Sequence, residues 1–78
     1  PNPTEENATI ELRLKNDAEG SLKVFDVLGR EIKTVKTGKL ETGRKEYQLD
    51  TSKFSSGVYF IILEGGNTQI QKKFTVVK

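Results

Sequence analysis

The sequence predicts an all-β fold, a small antiparallel sandwich of two sheets. Three observations carry this. Short apolar or alternating stretches recur along the chain, separated by Gly, Asn and Asp turns at regular spacing. No stretch of useful length has the periodicity of a helix. Finally, Gly57–Lys78 holds an unbroken apolar run from Val58 to Leu63, a Gly65-Gly66-Asn67 turn, and a second stretch through Ile70, Phe74 and Val76. An apolar run this short between turn residues reads as a buried strand, so this C-terminal hairpin is expected to hold the densest part of the core. A small barrel is the alternative closure, but 78 residues suit two sheets better.

Taken in order, residues 1–7 (PNPTEEN) read as the end of a linker and residues 8–78 as one domain. Ala8–Lys15 alternates strictly, with Ile10, Leu12 and Leu14 on one face and Glu11, Arg13 and Lys15 on the other. Asn16–Gly20 is a turn in which Gly20 suits a left-handed position. Ser21–Asp26 is a second strand with Leu22 and Val24 inward. Asp26–Arg30 follows as a three-residue hairpin loop in which Asp26 accepts backbone N–H groups and Gly29 takes the left-handed bulge position. Glu31–Thr37 is a strand anchored by Ile32 and Val35, and Gly38–Gly43 a loop. Arg44–Asp50 is a strand with Tyr47 and Leu49 inward. Thr51–Ser56 connects to the final hairpin, with Phe54 plugging one end of the core.

The register of that hairpin has two solutions. A Gly65-Gly66 loop puts Ile61 opposite Ile70, with Tyr59, Ile61 and Leu63 on the side of Ile70, Phe74 and Val76. A Gly65-Gly66-Asn67 loop swaps the two rows of the first strand. Either way one apolar row faces away from the core. Loops or weak self-association through that face would cover it; otherwise it is a strip that docks a partner.

Composition prunes the chemistry. The chain has no Cys, His, Met or Trp, which excludes disulfides, thiolate metal sites, ordinary zinc sites, and Ser–His or Cys–His nucleophiles. Folding this many residues costs on the order of 100 kcal/mol of conformational entropy, so the net margin is expected to be a few kcal/mol. Thirteen basic and eleven acidic residues interleave to a net charge of +2. Only Lys33–Lys39 and Lys72-Lys73 form local basic clusters, so no nucleic-acid partner is expected. Asp17, Glu19 and Asp26 are too scattered for a calcium loop, and no pocket is built around the Asp26/Glu31 or Glu5/Glu6 carboxylates. No cofactor, metal or catalytic residue is therefore assigned. No run approaches the roughly 20 apolar residues of a membrane helix, and no membrane insertion is expected. With no initiator Met before Pro1 and no signal peptide, the chain reads as a piece of a longer precursor.

Some residues carry two readings. Val27 and Leu28 lie on a turn where polar residues are the norm, so they either fold back over the sandwich end or belong to a docking surface. Arg30 pairs with Asp26 or Glu31, or is itself a recognition side chain. Lys72, Lys73 and Lys78 flank the last strand, where lysines guard an edge against sheet-to-sheet pairing or serve recognition.

From Asn2 to Lys78 the chain resembles the type A C-terminal sorting domain of the type IX secretion system. The marks are Asn2-Pro3, Val24-Phe25-Asp26-Val27-Leu28-Gly29-Arg30, Gly43 with Leu49-Asp50, Ser56-Gly57-Val58-Tyr59-Phe60, and Lys72-Lys73-Phe74-Thr75-Val76-Val77-Lys78. The chain departs from the pattern at Phe54-Ser55, where the family often has Leu-Pro, and at Ile62, where a basic residue is common. The resemblance implies an Ig-like β-sandwich behind a cargo domain. It implies passage through the periplasm, export by the outer-membrane translocon to the cell surface or medium, and removal by a surface sortase. It assigns the motif positions Asp26, Val27, Leu28, Gly29, Arg30, Asp50, Gly57, Tyr59, Phe60, Lys72, Lys73, Phe74, Val76 and Lys78 to recognition. The rival reading is an Ig-like structural, carbohydrate-binding or protein-binding module of a surface protein.

Overall fold

The computed structural model describes residues 7–78; the Asn2-Pro3 mark and all but the last residue of the expected linker lie outside them. Asn7 already belongs to a strand. The six strands are β1 (Asn7–Leu14), β2 (Ala18–Asp26), β3 (Glu31–Leu40), β4 (Gly43–Asp50), β5 (Gly57–Gly65) and β6 (Thr68–Val76). They form two antiparallel sheets, one ordered β1-β4 and the other β3-β2-β5-β6. The all-β, open two-sheet sandwich expected from the alternation is what forms.

Alternation places the core. Ile10, Leu12 and Leu14 of β1 and Leu49 of β4 face Leu22 and Val24 of β2, Ile61 and Leu63 of β5, and Val76 of β6, all buried. Cross-strand pairing stacks these into rows: Val24 opposite Ile61, Leu22 opposite Leu63, and Leu63 opposite Ile70. Side chains directly across an antiparallel pair share a face, so each row closes against the other sheet. Tyr47 only half-buries against this cluster.

The structure corrects the sequence reading at several points. Gly20 is not a left-handed turn residue. It lies within β2 opposite Gly65 of β5, where a Cβ would collide with the Glu64 carbonyl oxygen; its role is close approach of two backbones. β2 and β3 pair beyond this point, with Ala18 opposite Leu40, so the expected Gly38–Gly43 loop shrinks and Leu40 becomes a fully buried core residue. The register of β2 against β3 shifts at Leu22/Lys23 and Val24/Phe25, which leaves Val35 and Ile32 without cross-strand partners. These bulges rotate the strand, and Ile32, expected inward, is 40% exposed.

Neither expected register of the C-terminal hairpin occurs. Gly65 pairs with Thr68, so the loop is Gly66-Asn67, and only Gly66 has positive φ, as in a type II′ turn. Pairing slides by two positions from the Gly65-Gly66 solution, and an even slide keeps every side chain on its face. Tyr59 therefore lies opposite Phe74, Ile61 opposite Lys72 and Leu63 opposite Ile70, while Val58, Phe60 and Ile62 take the outer face. There they lie half-buried beside Phe25, which pairs with Phe60.

Candidate recognition surface

Asp26 ends β2 and organises the turn to β3. Its backbone carbonyl accepts from Gly29 N and its N–H donates to Arg30 O, both at 3.0 Å. Its Oδ1 accepts from Leu28 N at 2.9 Å and Arg30 N at 3.0 Å, while Oδ2 accepts from the Arg30 guanidinium at 2.7 Å. Gly29 has φ +85°, which an L side chain adopts only with strain. The expected three-residue loop with a left-handed glycine is therefore present, and Arg30 pairs with Asp26 rather than Glu31, whose carboxylate meets Lys23 at 3.4 Å.

With the backbone held at both ends, the tip side chains turn outward. Val27 is 64% exposed and Leu28 is 75% exposed. They do not fold back over the sandwich. Two branched apolar residues displayed on a turn this tightly bonded give up no hydrogen bond to be there, and they lose little further entropy on contact with a partner.

The connector after β4 builds the opposite wall. The Asp50 Oδ1 accepts from Ser52 N at 3.0 Å, and Phe54 N donates to Thr51 O at 3.0 Å. Lys78 clamps this corner: its Nζ donates to the carbonyls of Thr51 at 2.8 Å and Ser52 at 2.9 Å, and its N–H to Ser56 Oγ at 3.0 Å. The Tyr59 hydroxyl donates to Ser55 O at 2.7 Å, an aromatic tether of the kind found at the corners of Ig-like sandwiches. Its ring packs against Phe54 at 4.9 Å and Phe74 at 5.8 Å between centroids. Phe54 does plug the end of the core, as its isolation in a polar connector suggested.

The two walls enclose a shallow groove of about 300 Å³ between Asp26–Arg30 and Lys53–Tyr59, with Ile32 at its side. It unites Asp26, Val27, Leu28, Arg30, Gly57 and Tyr59 of the sequence-marked positions. Asp50 lies along a neighbouring groove of about 250 Å³ with Ile32, Lys33 and Lys53. The other marked positions are elsewhere or are structural. Phe60 and Lys73 pair on the outer face, Phe74 and Val76 pack inward, and Lys72 reaches across to Glu11 O at 2.9 Å. Sequence reasoning did not place Lys53, Ser55 and Ser56 in this wall, because a polar connector has no periodicity to give its facing.

Electrostatics tie the turn to pH. The backbone N–H of Arg30 holds the Asp26 carboxyl below the ordinary aspartate range, helped by the Arg30 side chain and Leu28 N–H and opposed by desolvation. Asp50 is lowered chiefly by the Ser52 N–H. A carboxylate with a depressed folded-state pKa contributes stability that is present above the unfolded value and lost as pH falls through the folded one. The amide resonances of Leu28 and Arg30 are therefore expected to hold constant from neutral pH into the ordinary aspartate range and to move together only below it. Asp26→Asn should abolish that step; movement beginning above the ordinary aspartate range would contradict the bonding described.

What the fold and this surface define is a small β-sandwich module with a rigid apolar turn displayed at one end. Residues 1–77 match the secretion system C-terminal sorting domain family. The chain belongs to that family, the type IX secretion C-terminal sorting domains. Comparison with curated proteins and with solved structures gave no match. Membership makes the chain a C-terminal secretion sorting signal, which implies a cargo on its N-terminal side, a secretion machinery, and passage to the cell surface or beyond. Domains of this family are in general non-catalytic.

Proposed function

We propose that the domain acts without chemistry of its own, as a folded surface that the type IX outer-membrane translocon reads in the periplasm and that a surface sortase then removes from the cargo. The observation supporting a folded rather than linear signal is the Asp26–Arg30 turn. Its five hydrogen bonds, one of them the Arg30–Asp26 ion pair, present Val27 and Leu28 in one fixed pose. An unfolded segment of the same sequence would offer neither that pose nor the Lys53–Tyr59 wall beside it.

The test is to fuse Pro1–Lys78 behind a periplasm-directed reporter in a bacterium with type IX secretion. The reporter is expected at the cell surface or in the medium, freed of the domain. Retention in the periplasm with the domain folded would favour a spacer or binding module and overturn the proposal.

A further inference from the structure

The sandwich has two long seams, and they are not alike. Where β1 nears β6, the Lys72 ammonium bridges to the Glu11 carbonyl at 2.9 Å. On the other side, among the described residues β3 pairs only with β2 and β4 only with β1, so the seam between β3 and β4 has a free strand edge on each bank. Two hollows mark it: one of about 330 Å³ lined by Lys36, Lys39, Glu41, Lys45 and Tyr47, and the one of about 250 Å³ beside Lys33, Asp50 and Lys53. Lys33–Lys39, the basic cluster that the sorting function leaves unexplained, supplies one bank.

The two edges differ. β3 is bulged at Ile32 and Val35, the irregularity that spoils an edge as a pairing template. β4 runs in unbroken register against β1 from Gly43 opposite Leu14 to Asp50 opposite Asn7. Its edge is therefore regular enough to take another strand. Lys45 lies opposite Leu12 and Lys36 opposite Leu22, so both start from the inward faces of their sheets and emerge at the seam. Lys45 meets Glu41 at 3.2 Å and Lys39 meets Asp17 at 3.7 Å, whereas Lys36 has no ion-pair partner among the described residues.

We propose that this seam docks an extended acidic polypeptide segment, which adds to the β4 edge as a third strand and turns alternate carboxylates toward Lys36 and Lys45. Backbone groups along β4 provide the ladder, and the lysines select the charge at every second position. The regular free edge of β4 favours a polypeptide over other polyanions, because only a polypeptide satisfies backbone N–H and C=O groups in register. The inference concerns a surface separate from the Val27–Leu28 turn and does not depend on it.

The test is a titration of the whole Pro1–Lys78 domain, followed by its backbone amide resonances. The probe is a peptide of about ten residues in which Glu alternates with Val and Thr, a length set by ordinary strands. Shifts are expected to saturate and to centre on β4 and the facing part of β3. Affinity is expected to fall roughly tenfold with Lys36→Glu plus Lys45→Glu, or between about 50 and 200 mM salt. Both lysines lie at the surface, and the variant's unchanged amide dispersion will show that it folds; Lys36→Ala is the milder companion and should weaken binding in the same direction. A Pro at the centre of the peptide, or Lys for Glu throughout, should abolish the shifts. The inference is overturned if shifts map elsewhere, if the Pro peptide binds as well as its parent, or if heparin occupies the same amides as tightly. Shifts at β4 that grow with protein concentration alone would make the occupant a second copy, and would overturn it too.

Discussion

Leu63→Ala is expected to cost about 3 kcal/mol, the middle of the range for a buried leucine truncated in a packed core. Leu63 has no solvent exposure and sits in the row Leu22–Leu63–Ile70 that joins three strands of the larger sheet. A domain of this size has on the order of 5 kcal/mol to lose. The variant should therefore unfold at much lower urea, with the slope of the transition unchanged. Val77→Ala, 69% exposed at the end of the same hairpin, is the matched control and should leave the midpoint in place. A loss below about 1 kcal/mol at Leu63, within the range of ordinary substitutions, would mean that the hairpin is not the centre of the core.

Gly20→Ala has the second large effect, and its cause is collision rather than cavity. The added Cβ would run into the Glu64 carbonyl oxygen and the Gly65 Cα. Backbone atoms of a central strand have nowhere to go, so β2 and β5 must separate or shift register at this end. The expected loss is about 3 kcal/mol, at the upper end for overpacking. Gly65→Ala is gentler, since its Cβ meets Glu19 O at 2.9 Å and Ala18 Cβ at 3.1 Å. Urea unfolding should rank Gly20→Ala well below Gly65→Ala and both below the parent; equal stability of Gly20→Ala and the parent would contradict the Gly20–Gly65 pairing.

Those two positions show what could and could not be read from the chain. Strict alternation in Ala8–Lys15 discloses both its strand and its core row, because a period of two is a direct record of which face is wet, whereas the unbroken run Val58–Leu63 discloses a strand but not which of its two rows is inward. Gly20 was misplaced since a glycine that permits close approach looks, in sequence, like one that permits a turn. Leu40 was hidden by flanking Gly38 and Gly43, which suggested a loop where β2 and β3 in fact continue to pair. Ile32, expected to anchor its strand together with Val35, is left exposed by a bulge that depends on the partner strand, which the weak alternation of Glu31–Thr37 cannot register. Of the candidate surface, the Asp26–Arg30 turn was legible because Asp and Gly at fixed offsets specify a hairpin. The Lys53–Tyr59 wall was not, because its position follows from tertiary docking by Tyr59 and Lys78.

Replacing the two displayed tip residues offers the sharpest trial of a signal carried by shape. Val27→Ser with Leu28→Ser leaves the Asp26 hydrogen bonds to backbone intact and removes only exposed apolar groups. In the reporter fusion, the doubly substituted domain should be as resistant to urea as the parent, and the reporter should stay in the periplasm. Export at the parent's level from this folded variant would contradict the account, because the turn would then be a fastening of the fold and nothing that the secretion machinery recognises.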